Sequence, residues 1–435
     1  MIFFSRLLRT SVFYVWAFCL FTFILILLGT HNVLFSICAI AISFVYIVWA
    51  KNNQEFILMA FLFPLATLFK PYAEGTSFYT IALLICTAKY LLQGVSISKE
   101  LYFFVFFVFF EQLVFFDVDF LKSIKLCGGL VFVLYGLNKL SEMQSEQCFW
   151  AFSLGFLLSS ICPFLNSNYF RINEYSTRVS TLGGTHGDNT IYRFVGLSGD
   201  PNYYSVNLMI VLVLMIVLYY NNRIKFPLLM IIFFICGYFT VITYSKSSFL
   251  MFFYPIVLLF WTCLVKRKVG IMAIMSAIVA VFSSYVAVGK IQFLNIILNR
   301  FSRTDSASDF TTGRWDIWMS YLDFFNDNII KFFLGSGISA PLINNAQAHN
   351  TFIEILYTCG ILGFTLFIFA IKGIFKSNKL QNKSKVLMNF SILICLSFMY
   401  FFLSEFLAYD LTWHMLLAGL VYKLNLIDRE AIYVV

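Results

Sequence analysis

The chain has 435 residues, of which 61% are hydrophobic, 20% aromatic and only 12% charged. A soluble domain carries roughly a quarter of its residues as charged side chains. The composition therefore excludes a soluble globular enzyme and predicts an all-α polytopic integral membrane protein. The 30 Lys and Arg against 21 Asp and Glu give a formal net charge of +9. In a membrane protein such an excess first reflects topology, and we expect no nucleic-acid partner.

The apolar runs are numerous enough for roughly 12 to 14 transmembrane helices, since about 20 residues span the hydrocarbon core of a bilayer. The first run, 11–28, follows Arg6 and Arg9. It is too long for the core of a signal peptide and lacks a small-residue cleavage site, which predicts a retained first helix. With the N-terminus in the cytoplasm, Lys or Arg occurs in nearly every inner loop, as the positive-inside rule requires. This topology also places the C-terminus in the cytoplasm.

Two long connections on the outer face divide the predicted helices into three groups. The predicted organisation is 1–165 for the N-terminal transmembrane helices, 166–202 for the first long loop, 203–287 for the central helices, 288–350 for the second long loop and 351–435 for the C-terminal helices. In the second loop, large apolar side chains recur at helical spacing at Trp315, Trp318, Met319 and Leu322. This pattern predicts an amphipathic helix, on the membrane surface or capping the bundle, that is broken at 335–341.

Several chemistries are excluded because their motifs are absent. The four histidines include no pair at metal-ligand spacing, and the chain has no GxxxxGK[ST], GxSxG or HExxH motif. These absences argue against an ATP-driven pump and a zinc protease, and we predict neither a metal nor a cofactor. The ten cysteines lie in or beside apolar runs without a CxxC pair, so we expect free thiols.

The outer loops carry cations that topology does not explain, because long loops are exempt from the positive-inside rule. These cations are either incidental charges on a solvated surface or parts of an anion site. The densest polar pattern follows at 348–363, where His349 and Asn350 precede an apolar helix that contains Glu354. An ionisable residue inside a span is by default a functional hypothesis. The alternative is a helix start capped by His349 and Asn350, with Glu354 paired to a cation.

Five short motifs follow one another along the second half of the chain. They are Arg193 with Gly196 and Asp200-Pro201-Asn202; Thr243-Tyr244-Ser245-Lys246-Ser247-Ser248; Gly313-Arg314-Trp315 with Trp318; Gly335-Ser336-Gly337; and His349-Asn350 with Glu354, Gly360 and Gly363. In this order they resemble the shared segment of the bacterial O-antigen ligase and O-antigen polymerase superfamily. One departure is Lys246, where that family has arginine. Lysine keeps a point charge but loses the bidentate fork of a guanidinium.

The resemblance implies a metal-independent glycosyltransferase on the periplasmic or outer face of the bacterial cytoplasmic (inner) membrane, with an undecaprenyl-diphosphate-linked oligosaccharide as donor. Cleavage of the anomeric C–O bond leaves negative charge on the diphosphate, which fixed cations in a dry site stabilise. Arg314 and Lys246 are the first candidates and Arg193 is the next. The acceptor hydroxyl loses a proton as it attacks, and His349 is the candidate general base. Further candidates for substrate contact are Asp200, Asn202, Asn350, Glu354, Trp315 and Trp318.

Three functions remain open at this point. The leading prediction is a polysaccharide polymerase that transfers the growing glycan from its undecaprenyl diphosphate carrier to the sugar of an incoming lipid-linked repeat unit, with inversion. The main alternative is an O-antigen ligase that passes the same donor to lipid A core. A lipid-linked glycan flippase is the third, although a transporter is expected to spread its charges through several spans. The predicted partners are the lipid-linked substrate and the bilayer, with a chain-length regulator as a further candidate.

Overall fold

The computed structural model describes residues 10–29, 31–65, 78–94, 97–115, 120–165, 180–181, 190–191, 194–196, 200–243, 245–268, 313–375, 388, 391, 393–394, 396–397, 400 and 409–426. The predicted span at 269–287, most of the first long loop and the first part of the second loop lie outside the described residues. The loop boundaries at 166–202 and 288–350 therefore stay predictions.

Fourteen α-helices make up almost all of the described chain. In chain order they are α1 Thr10–Gly29, α2 Val33–Trp49, α3 Glu55–Leu62, α4 Phe78–Leu92, α5 Lys99–Phe115, α6 Phe120–Lys139, α7 Glu142–Leu165, α8 Pro201–Tyr220, α9 Phe226–Ile242, α10 Lys246–Val265, α11 Arg314–Asp327, α12 Ile329–Leu334, α13 Thr351–Phe375 and α14 Tyr409–Leu426. A helix satisfies its own backbone hydrogen bonds, as a segment in hydrocarbon must. A two-residue antiparallel pair, β1 Ser180–Thr181 and β2 Thr190–Ile191, lies in the first loop.

Length and composition alone make four of the described helices candidates for crossing a membrane, namely α6, α8, α10 and α13. Five shorter apolar helical stretches of 10–17 residues lie within or around α1 to α4 and α9, namely Phe13–Gly29, Val33–Trp49, Glu55–Leu65, Thr80–Leu92 and Phe226–Ile242. The predicted fold class, an all-α polytopic membrane protein, is therefore confirmed. The predicted total number of spans stays a prediction.

Helix α8 lies at the centre of the bundle. Every side chain from Tyr204 to Tyr219 is buried, and a helix that is apolar and buried all round belongs to a core rather than a surface. It packs against α7, α9, α10 and α14. The nine cysteines for which the structure gives a state are all free, and only Cys38 is exposed. The cysteines given a state are thus free thiols, as predicted, and eight of the nine are buried.

Helices α5 and α13 run antiparallel and fix the position of the second outer loop relative to the bundle. The rings of Phe104 on α5 and Phe367 on α13 lie 5.4 Å apart. One turn further along, a Cβ at Gly363 would come within 2.5 Å of Phe107. Following the predicted topology, we call the end of the bundle at which α8, α10 and α13 begin the outer end.

The predicted amphipathic helix is present as α11. Its side chains Tyr321 and Phe325 are buried in a small apolar cluster with Ala348 and Tyr357. Because Tyr357 belongs to α13, α11 packs over the outer end of that helix. This packing agrees with the predicted capping of the bundle, and a position of α11 on the membrane surface stays a prediction.

The predicted end of this amphipathic helix was wrong. Helix α11 ends before Asn328, whose backbone is not helical (φ −130°, ψ 64°), and the short α12 follows. The side-chain amide of Asn328 donates to the Phe324 carbonyl at 3.0 Å. Asparagine side chains compete for backbone groups in this way and so end helices. Gly335 ends α12 instead of α11.

Candidate functional site

The N-termini of α8 and α10 lie side by side at the outer end. Asp200 caps α8, because its carboxylate accepts hydrogen bonds from the amides of Asn202 (2.7 Å) and Tyr203 (3.4 Å). The side-chain oxygen of Asn202 accepts from the hydroxyls of Ser245 (2.7 Å) and Ser247. Ser245 in turn caps α10. The first two motifs therefore connect the N-termini of α8 and α10. Asp200 caps α8, and capping by itself accounts for an aspartate at this position.

The chain enters α8 through a short segment that is held against α9. The amide of Phe194 donates to the carbonyl of Ile242 at 3.0 Å, and Val195 is buried. Gly196 has a left-handed backbone (φ +52°), and a Cβ there would lie 2.6 Å from the Tyr204 ring. Glycine is therefore required at this position of the motif. Arg193, the predicted cation before this segment, lies outside the described residues.

One face of α11 holds the loop that precedes α13. The indole N–H of Trp318 donates to the carbonyl of Ala348 at 2.8 Å, and the Tyr321 hydroxyl donates to the carbonyl of Ala346 at 3.0 Å. Trp318 is only 7% exposed, so its ring is covered rather than presented to a ligand. These two bonds fix the backbone on either side of residue 347, directly before His349.

His349 and Asn350 form the start of α13. The backbone of His349 is left-handed (φ +47°), which is uncommon for a residue with a side chain and is found often at functional sites. Asn350 is 3% exposed, and its side-chain oxygen accepts from the amides of Phe352 (3.0 Å) and Ile353 (3.2 Å). Asn350 is thus the cap of α13, while His349 is held just outside the helix with a half-buried side chain.

Arg314, His349 and Asp200 lie within electrostatic range of one another at the outer end, although they are far apart in the sequence. Burial lowers the pKa of His349 below its ordinary value, the positive charge of Arg314 lowers it further, and the Asp200 carboxylate opposes both effects. Burial also lowers the pKa of the Arg314 guanidinium, while Asp200 and Tyr203 raise it. The ion pairs found among the described residues do not include Arg314. Its charge is therefore balanced only in part, by a carboxylate that also caps a helix.

The glycine motifs form a close contact between the loop after α12 and a break in α13. Gly360 has φ +63° and ψ −177°, which interrupts the helix. The carbonyls of Tyr357 and Thr358 accept hydrogen bonds from the amides of Ser336 (2.8 Å) and Gly337 (3.0 Å). A Cβ at Gly335 would lie 2.2 Å from the Thr358 oxygen. The motif glycines are therefore needed for backbone approach, which supports the site without contacting it.

The remaining predicted residues are Trp315, Lys246 and Glu354. Trp315 is 44% exposed and its ring centroid is 6.5 Å from that of Trp318. Lys246 is the first residue of α10, next to the Asn202 contact, but its side chain lies outside the described residues. Glu354 is half-buried in the first turn of α13, and its charge acts on the Tyr321 phenol.

The sequence prediction missed two buried polar groups inside the bundle. Glu111 on α5 is 3% exposed and lies next to Cys359 of α13. His414 on α14 contacts the Tyr400 hydroxyl and the Asn207 side-chain oxygen, each at 3.1 Å. An ionisable residue in an apolar run is itself a signal, and the run around Glu111 (FFVFFEQLVFF) carried it. His414 also lies in an apolar run, but its partners are 14 and 207 residues away and could not be read from the sequence.

Fold and site together define a polytopic helical membrane protein with a polar site at one end, where three apolar helices begin near a half-buried arginine and a half-buried histidine. Residues 231–368 match the family model for O-antigen ligase. Over this segment, the match confirms the predicted resemblance to the O-antigen ligase and O-antigen polymerase superfamily. It includes Arg314 and His349 but begins after Asp200. No curated protein and no solved structure matches the chain.

Proposed function

We propose that the protein is a polysaccharide polymerase on the outer face of the bacterial cytoplasmic membrane. Its donor is a glycan linked to undecaprenyl diphosphate, and its acceptor is the sugar of another lipid-linked repeat unit. The observation that carries the proposal is the meeting of Arg314, His349 and Asp200 at the outer end, since the family match contains the first two of these residues. A cation and a titratable base are the two groups that transfer from a diphosphate donor needs.

In the proposed reaction, the acceptor hydroxyl attacks the anomeric carbon from the side opposite the diphosphate. Its proton passes to the neutral imidazole of His349. The anomeric C–O bond breaks as the new bond forms, and its electron pair leaves with the diphosphate, so the configuration is inverted. The lowered pKa of His349 keeps the imidazole neutral, and therefore able to accept a proton, at neutral pH.

The leaving diphosphate is stabilised by Arg314, with Lys246 and Arg193 as further proposed cations. Three helices, α8, α10 and α13, start at this end. A helix N-terminus carries a partial positive charge of about half a unit and exposes amides, so it favours anions. Asp200 reduces this potential and raises the basicity of His349. Its proposed role is to cap α8 and to keep the imidazole a usable base beside Arg314.

The sugars are proposed to contact the exposed side of the site. Trp315 is half exposed beside Arg314 and offers a ring face on which a sugar can stack. Asn202 and Glu354 are the proposed polar contacts on either side. Trp318 and Asn350 are assigned to holding the loop and capping α13, because their polar groups are engaged there.

The second candidate is an O-antigen ligase that passes the same donor to lipid A core. The description of the matched family favours it. The two reactions share the donor, the leaving group and the base, and they differ only in the acceptor. The glycan of a deletion strain separates them: loss of a polymerase leaves a single repeat unit on the final acceptor, whereas loss of a ligase leaves none and lipid-linked polymer accumulates.

The residue assignment is tested by complementing the deletion strain with Arg314→Ala. We expect polymer formation to be lost while the protein stays in the membrane, because the guanidinium acts on the leaving group. Lys331→Ala is the matched control, since Lys331 is a cation of the same loop that lies over the Phe324 ring, 5.4 Å from its centroid. Polymer of normal length and amount with Arg314→Ala would remove Arg314 from the mechanism.

A further inference from the structure

Glu111 is a carboxyl group buried inside the bundle that the proposed reaction does not use. It lies in the outer half of α5 and is 3% exposed, and the neighbouring Gln112 is 2% exposed. Neither oxygen of Glu111 makes a hydrogen bond of regular geometry with the residues that the structure describes. A buried polar group without hydrogen bonds destabilises the fold. An ionisable residue in such surroundings is therefore by default a functional hypothesis.

The neighbours of Glu111 belong to the break in α13. Its carboxyl group lies against the thiol of Cys359 and the backbone amide of Gly337. This position follows from the antiparallel packing of α5 on α13: Phe104 faces Phe367, and Phe107 faces Gly363. The next helical turn on each helix brings Glu111 opposite Cys359. The carboxyl group therefore meets α13 one residue before the break at Gly360.

The break separates the part of α13 that carries the site from the part that packs on α5. The outer part, from Thr351 to Cys359, follows His349 directly. Its carbonyls at Tyr357 and Thr358 accept hydrogen bonds from the amides of Ser336 and Gly337. The loop from Gly337 then leads to the residues that α11 holds around His349. Glu111 on α5 thus lies against both segments that lead to His349, namely the outer part of α13 and the loop at Gly337.

We propose that Glu111 is a positioning residue that holds the outer part of α13 and the loop at Gly337 against α5, and so fixes the orientation of His349. Glu111 does this through the polar contact of its carboxyl group with the backbone at Gly337 and the thiol of Cys359. The inference rests on the proposed function only in naming His349 as the group whose position matters. Its contacts with α13 and the loop do not depend on that assignment.

Purified protein with a lipid-linked repeat unit as donor and acceptor provides the kinetic test. Glu111→Leu removes the polar carboxyl group from this contact, and we expect kcat to fall about 10- to 100-fold, as displacements of about 1 Å do. KM for the donor should change less than about threefold, because Arg314 is untouched. Glu111→Gln retains an acceptor oxygen and should keep kcat within about threefold of wild type. Glu100→Gln, which removes a carboxylate at the opposite end of α5, is the matched control.

A distance measurement reports on position independently of activity. Nitroxide labels are placed at two exposed sites, Leu113 on α5 and Gln347 beside His349, in a Cys38→Ser background. Glu111→Leu should shift or broaden the distance distribution between them, whereas Glu111→Gln and Glu100→Gln should not. Glu111→Met, which keeps the length of the side chain, is measured in parallel, so that poor folding of one variant does not decide the result.

The outcomes separate the inference from the proposed function. Wild-type kcat in Glu111→Leu and Glu111→Met, or lost turnover with an unchanged distance distribution, would overturn the positioning role. If wild-type protein transfers no glycan from the lipid-linked donor but the distance still shifts in Glu111→Leu, the proposed function fails and the positioning of the loop by Glu111 stands.

Discussion

The substitution Gly360→Ala tests the break in α13, on which the loop to the site depends. A Cβ at Gly360 would lie 2.4 Å from the amide nitrogen of Gly335 and 2.4 Å from the carbonyl oxygen of Phe333. Both are backbone atoms, so neither can rotate away. The backbone of Gly360 (φ +63°, ψ −177°) also lies in a region that is essentially restricted to glycine.

The expected loss of stability follows from these two effects. Holding an alanine in the Gly360 backbone conformation costs on the order of 1–3 kcal/mol. Forcing one extra methyl into a packed contact adds typically about 1–3 kcal/mol. The sum, on the order of 2–6 kcal/mol, is a large part of the roughly 5–15 kcal/mol by which folded proteins are stable. We therefore expect Gly360→Ala to lower the free energy of unfolding by this amount and to reduce the folded protein in the membrane.

Thermal unfolding of detergent-solubilised protein, followed by size-exclusion chromatography, measures this effect. Gly237→Ala on α9 is the matched control, because the nearest atom to a Cβ there is Phe252 Cζ at 3.5 Å, an ordinary contact. Gly335→Ala should destabilise as Gly360→Ala does, and the double variant should lose less than the sum, since both changes disrupt one contact. If Gly360→Ala unfolds at the same temperature as Gly237→Ala, the break in α13 is not a required feature of the fold.

Three further predictions concern the outer-end site. Arg314→Gln removes a charge that lowers the pKa of His349, so the residual rate should begin to fall at a higher pH than in wild type; pH–rate profiles measure this, and an unmoved acid limb would argue against His349 as the base. Asn350→Ala should lower the free energy of unfolding by about 0.5–2 kcal/mol, whereas Asn350→Asp keeps the cap, and equal unfolding temperatures would contradict this. Trp318→Phe leaves a buried carbonyl without its donor, which costs about 1–3 kcal/mol and should reduce turnover; Met319→Ala, at an exposed position of the same helix, should change neither.

The fold class could be predicted from the sequence because hydrocarbon imposes one rule on every span. Backbone groups without water must bond within their own segment, so an apolar run of sufficient length is a helix. The amphipathic helix was equally readable from the spacing of Trp315, Trp318 and Leu322. Its end was not, because Asn328 stops α11 through a side-chain contact with Phe324. Local competition of this kind leaves little trace in hydrophobic periodicity.

The candidate site could be predicted only in part, for a different reason. The motifs singled out Arg314 and His349, and the structure places both beside Asp200. The motifs do not show which of their residues are exposed for contact with a substrate and which only support the site. Trp318 has the same sequence signal as Trp315, yet one ring is covered and the other is half exposed. That difference depends on which face of α11 packs on α13, which no spacing within the helix determines.

Lysines at the inner end of the bundle have a structural use. Lys89 donates to the carbonyl of Ala50 just after α2 (3.0 Å), Lys266 to Tyr219 in the last turn of α8 (2.8 Å) and Lys423 to Leu137 near the end of α6 (2.8 Å). Cations stabilise the C-terminal ends of helices, where carbonyls lack partners and the helix dipole is negative. Lysines at the end of the bundle opposite the candidate site thus close helix ends.

The same electrostatics makes Arg314 at the outer end unfavourable for stability alone. There, α8, α10 and α13 present N-termini, whose partial positive charges repel a cation. Burial adds to this cost, as the lowered pKa of Arg314 indicates, and Asp200 offsets only part of it because it also caps α8. A bound anion would be attracted both by Arg314 and by the helix N-termini, and of the groups named here only Asp200 would repel it. A bound anion between Arg314 and the helix N-termini, which in the proposed function is the diphosphate of the donor, would therefore account for a half-buried cation at this end of the protein.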